Sequence, residues 1–146
     1  MEFVLLIAAT VSIMMFALFI FTYDNTILVE QLPTAVKAFV QKNFPGEGIA
    51  CAMMDAGITK TTYGVHLKNG VELELDTYGN WDKVNCNYEA VPVQLIPARV
   101  SNYVQTNYAG TVITKIGKKS DGYQVELSND LYLQFSNRGM LIGFGD

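Results

Sequence analysis

The stretch LPTAVKAFVQKNFPG, residues 32–46, returns as IPARVSNYVQTNYAG at residues 96–110, without a gap between the copies. Pro33 recurs as Pro97, Val36 as Val100, Val40 as Val104, Gln41 as Gln105, Asn43 as Asn107 and Gly46 as Gly110. In the first copy Leu32, Val36, Phe39, Val40 and Phe44 fall on one face of an α-helix, and Ile96, Val100, Tyr103, Val104 and Tyr108 hold the same places in the second. Pro33 and Pro97 suit a first helical turn, where a missing N–H costs nothing, and Gly46 and Gly110 are stop signals. A one-sided helix of about a dozen residues is marginal alone in water. Each copy therefore predicts a surface for its helix to lie on.

That surface is written further along the chain. YGVHLKNGVELELDTYGNW from Tyr63 matches YQVELSNDLYLQFSNRGML from Tyr123, and both alternate with period two: Tyr63, Val65, Leu67, then Val71, Leu73, Leu75. Parity sets the register, because Leu67 and Val71 belong to the same face and so pair across a three-residue loop with Gly70 in the left-handed region. Asp130 takes the equivalent place in the second hairpin, a conformation Asp enters more readily than most residues. The register puts His66 opposite Glu72 and Glu126 opposite Tyr132. GIACAMM and TVITKIG read as a strand before each hairpin, NWDKVNC and MLIGFG as one after it.

The expectation is an α+β fold, a tandem repeat of a helix plus a four-stranded antiparallel meander, with the helices on one face of the sheet. Residues 32–90 form the first repeat and 91–146 the second, with 24–31 as a linker. Joining the two side by side buries an edge strand of each. In a meander the first and fourth strands lie at opposite edges, so Cys51 and Cys86 read as small buried thiols in preference to a disulfide.

The chain has 146 residues and a formal charge of −4, and its ten basic residues are scattered along the sequence, which speaks against nucleic acid as a partner. His66 is the single imidazole and no Cys-x-x-Cys spacing occurs, so neither a metal nor a cofactor is expected, and no catalytic constellation is found. From Phe3 to Phe21 the chain is apolar and uncharged, before an abrupt change at Asp24. Residues 1–23 read as an export signal, or alternatively as an uncleaved anchor, the only route by which this chain would meet a membrane. The remainder is expected to be periplasmic or secreted, or else membrane-anchored and facing outside the cytoplasm.

In order along the chain, the leader, LPxxVxxFVxxNFPG, YxVxLxNGxxLEL, DxxGxW, VPxxLIP and a second copy resemble the PepSY-like family of beta-lactamase-inhibitor-like secreted proteins. The resemblance implies tandem helix-plus-four-strand units and no enzyme activity. It points to an exported non-catalytic binding module, inhibitor-like towards a protein or peptidase, with a membrane-tethered envelope sensor or accessory domain as the alternative. Its partner is then another protein or peptide.

The informative surface is the sheet face away from the helices. There the alternation places His66, Glu72 and Glu74 in the first half and Glu126 and Tyr132 in the second. Trp81 is read as outward-facing or at the rim of that face, because an exposed Trp and Tyr among polar groups suit a protein-binding surface. These six are the candidate contact residues. For the leader, the predicted mature N-terminus lies between Ala17 and Thr26, and N-terminal sequencing that returns Met1 from a membrane fraction would establish the anchor instead.

Overall fold

The computed structural model describes residues 25–145, so the export or anchor segment at 1–23 lies outside the described residues. Nine strands run in sequence order: β1 (Thr26–Ile27), β2 (Ile49–Ala56), β3 (Thr61–Leu67), β4 (Glu72–Asp76), β5 (Trp81–Asn85), β6 (Ile113–Lys119), β7 (Gly122–Leu127), β8 (Tyr132–Ser136) and β9 (Leu141–Gly145). Two helices interrupt them, α1 (Thr34–Asn43) after β1 and α2 (Ala98–Asn107) after β5. Each helix starts directly after Pro33 or Pro97 and closes with the N–H of Phe44 or Tyr108 donating to Val40 or Val104 at 2.8 Å.

The expected α+β tandem of two helix-plus-four-strand meanders is corrected here. All nine strands belong to one antiparallel sheet in the order β1 to β9, with two helices among the described residues, and the molecule is mostly β. The reason is long-range. β5 pairs with β6 through Lys83 with Gly117, Val84 with Ile116 and Asn85 with Lys115, so its backbone groups are satisfied across what the sequence suggested was a unit boundary. The 24–31 segment carries β1, which extends the sheet by pairing Thr26 with Met53, and a 3-10 turn at Val29–Gln31.

One continuous core lies between the helices and the sheet. Val65, Leu75, Val84, Ile116, Val125, Leu133 and Phe135 from the strands, with Val36 and Val100 from the helices, have no exposed surface. Burying each such side chain contributes roughly 1.5–3 kcal/mol. Tyr103 of α2 meets Phe135 edge-on, with ring centroids 5.5 Å apart. Both helices therefore cover the same face and leave the other bare.

The hairpin registers follow the parity argument. Leu67 N–H donates to Val71 O at 2.8 Å and Gly70 N–H to Leu67 O at 3.0 Å, with Gly70 at φ 91°. In the second hairpin Asp130 holds φ 67° and its N–H donates to Leu127 O at 2.9 Å. Cys51 on β2 and Cys86 just after β5 are free thiols, but only Cys86 is buried as expected; Cys51 is partly exposed, because its register opposite His66 turns it to the helix-free face. Burial, with Glu89 nearby, pushes the Cys86 thiol up to about 11.

Forcing a β-branched side chain to the φ of Gly70 strains the turn. Gly70→Val is expected to destabilise the protein by roughly 1 kcal/mol or more, and an unchanged thermal midpoint would contradict the turn assignment.

Candidate functional site

On the face opposite the helices the strand register lines up outward side chains in two rows. In one, Cys51, His66, Glu72 and Asn85 on β2 to β5 continue as Lys115, Glu126 and Tyr132 on β6 to β8. In the other, Met53, Gly64, Glu74 and Lys83 continue as Gly117, Gln124 and Gln134. Directly opposed positions on one face lie about 4.5–5.5 Å apart, so neighbours in a row interact as pairs.

The pairs are explicit. Tyr132 donates its hydroxyl to Glu126 Oε2 at 2.8 Å, Asn85 Nδ2 donates to Glu72 Oε2 at 3.2 Å, and Lys83 Nζ stands 3.6 Å from Glu74 Oε1. His66 Nδ1 is 4.0 Å from Glu72 Oε1, with both side chains about 42 % exposed. The Tyr132 phenol is held above its ordinary range, first by the hydrogen bond to Glu126, then by burial and the charges of Glu126 and Asp130. At neutral pH it is thus a fixed O–H donor.

At the middle of the second row the side chain is missing. A Cβ placed on Gly117 would meet nothing closer than the backbone oxygen of Asp82 at 3.9 Å. Around it opens a cavity of about 340 Å³, lined on one side by Glu74, Asp82 and Lys83 and on the other by Lys115, Lys119, Gln124, Glu126 and Tyr132. That volume is in the range of small-ligand or side-chain sites.

Of the candidate contact residues, Glu74, Glu126 and Tyr132 come together at this cavity. His66 and Glu72 share the same face but stand beside it as a separate pair. Trp81 is on the other side of the sheet. A bulge between Glu74 and Leu75 makes Trp81 oppose Leu75, whose side chain is fully buried, so the indole turns to the helix face and packs against the core. There Lys118 Nζ lies 4.3 Å from the centroid of the Trp81 ring, a cation–π contact joining β5 to β6. The alternation that placed Trp81 outward fails because one inserted residue reverses parity.

The residues not foreseen are Lys83, Lys115, Gly117 and Lys119. Parity in TVITKIGKK puts Lys115, Gly117 and Lys119 on one face once Ile116 is turned inward. Their meeting with Lys83 needs the β5 to β6 pairing, which no local pattern announces. Among the described residues, no group of three or more His, Cys, Asp or Glu is placed to hold a metal ion.

The pattern of the family described as "Putative beta-lactamase-inhibitor-like, PepSY-like" matches residues 60–143. This chain belongs to that family. Two crystal structures are similar to this chain over most of its length. A "putative calcium-regulated periplasmic protein" of Bacteroides thetaiotaomicron is 34% identical with a TM-score of 0.76, covering 84% of this chain and 96% of its own. A "putative periplasmic protein" of Bacteroides vulgatus is 36% identical with a TM-score of 0.76, covering 83% and 95%. No curated protein matches the chain.

The two aromatics should now separate in stability. Trp81→Ala opens space against the core and is expected to cost about 1–3 kcal/mol, whereas Tyr132→Ala on the open face should stay within about 0.5 kcal/mol. Chemical denaturation of both variants is the measurement, and equal losses would contradict their placement on opposite faces.

Proposed function

We propose that this chain is an exported, non-catalytic binding module that holds another protein or peptide against the helix-free face of its sheet. The observation that carries this reading is the cavity over Gly117, set among ordered polar pairs on a face that no element of the described structure covers. Those pairs engage each other: Glu74 with Lys83, and Glu126 with Tyr132. Such an arrangement keeps side chains in fixed positions for recognition. Tyr132, Glu126 and Glu74 are the proposed contact residues, with His66 and Glu72 at the margin. Trp81 contributes through the fold.

The periplasmic descriptions of the two Bacteroides proteins support an exported location, and the family's inhibitor-like description supports a protein partner. A membrane-tethered sensor or accessory domain is the second reading, favoured by the uncharged apolar run from Phe3 to Phe21. In both readings the same face does the binding, with residues 1–23 as leader or anchor.

Photo-crosslinking tests the face directly. Benzoylphenylalanine at the exposed Gln134 on the open face should yield a discrete adduct in cell envelopes, and at the exposed Ala38 on the outer side of α1 it should yield none. Adducts from Ala38 alone, or from neither position, would refute the open-face reading.

A further inference from the structure

The charges around the cavity are unequally matched. Its three carboxylates are each engaged within the protein: Glu74 with Lys83, Asp82 with Lys60, and Glu126 with the Tyr132 hydroxyl. Two of its four ammonium groups are engaged as well, Lys83 by Glu74 and Lys118 by the Trp81 ring on the far side of the sheet. Among the described residues, Lys115 and Lys119 have no carboxylate within 4 Å. They sit two residues to either side of Gly117 on the same strand, so all three point to the open face. The cavity floor is thus bare backbone flanked by two ammonium groups that make no close ion pair, in a chain whose overall charge is −4.

From this arrangement we infer that the cavity is a carboxylate subsite, which takes the side chain of an acidic residue presented by a partner polypeptide. The inference rests on the open-face reading and gives its partner a chemistry. The incoming carboxylate lies over Gly117 between Lys115 and Lys119, where ammonium donors form charge-assisted hydrogen bonds and the Gln124 amide stands alongside. A dianion such as phosphate is a poorer fit, because Glu74 and Glu126 border the same space and repel a second negative charge. The volume of about 340 Å³ admits an Asp or Glu side chain with its neighbouring backbone. Selectivity comes from short range: charges more than about 10 Å apart are largely screened at 0.1 M salt.

The test is a two-dimensional amide NMR titration of the full chain with the capped peptide acetyl-Gly-Asp-Gly-amide, with its Asn counterpart and inorganic phosphate as parallel probes. Saturable shifts are expected at Lys115, Gly117 and Gln124 with the Asp peptide, and about tenfold weaker binding with the Asn peptide. Lys115→Gln should weaken the Asp peptide several-fold, and Lys42→Gln, on α1 and away from the cavity, should leave it unchanged. Gly117→Val should abolish the shifts by filling the floor; the strand accepts a branched residue there, since the position has no positive φ and no close neighbour. Equal binding of the Asn peptide, no effect of Lys115→Gln, or tighter binding of phosphate than of the Asp peptide overturns the inference. If none of the three probes binds while Gln134 still crosslinks, the subsite is wrong and the open face stands. If crosslinking fails as well, the open-face reading falls with it.

Discussion

The pairing of β5 with β6 is the constraint on which the rest of this molecule depends. It is short, three residue pairs, and at its centre Val84 and Ile116 are both fully buried. On either side of it stand hairpins whose inward residues need a helix to cover them, and whose outer edges would otherwise present unpaired backbone groups. By closing that gap the pairing turns the strands into one sheet and lets α1 and α2 cover a single continuous core. It also makes the candidate site. Glu74, Asp82 and Lys83 reach the cavity from one side of the seam, and Lys115, Gln124, Glu126 and Tyr132 reach it from the other.

Much of the local structure was legible because two periodicities are written clearly. The helical spacing of Val36 and Val40, repeated at Val100 and Val104, located both helices, and all four are buried. The alternation through Tyr63–Leu75 and Tyr123–Phe135 gave both hairpin registers, including the unusual conformation of Asp130, because a one-residue slip would have turned every apolar side chain to water. The global architecture was not legible in the same way. The repeat suggested two units set side by side at their edges, whereas one continuous sheet depends on a specific contact between β5 and β6, whose register has no signature in either segment.

The site was legible to the extent that it follows parity. Glu74, Glu126 and Tyr132 were placed on the open face by alternation within regular strands, and they meet at the cavity. Trp81 was misplaced because a bulge reverses the alternation between Glu74 and Leu75. The lysines were missed because a positive charge is read as scattered when its neighbours are distant in sequence. The register makes Lys83 the partner of Gly117 and so places it beside Lys115 and Lys119. A cluster that exists only across a long-range pairing cannot be counted from a linear string.

The two faces of the seam differ in a way the fold alone does not require. Towards the helices, Trp81 and Lys118 bridge β5 and β6 and close the junction. Towards solvent, Gly117 leaves the junction bare. A glycine inside a strand costs roughly 0.5–1 kcal/mol relative to alanine, and such a cost is often explained by a neighbour too close to admit a side chain. Among the other open-face glycines, a Cβ at Gly145 would come within 2.7 Å of Gln124 Nε2 and 3.0 Å of Tyr132 Cβ, one at Gly64 within 3.2 Å of the Met53 methyl, and one at Gly143 within 3.7 Å of Gln134 Oε1. At Gly117 the nearest atom is 3.9 Å away. No turn, bulge or close packing accounts for the glycine at that position, and unlike Gly143 it lies at the floor of the cavity. The missing side chain is what keeps that space open, bounded by side chains that the protein itself holds in place.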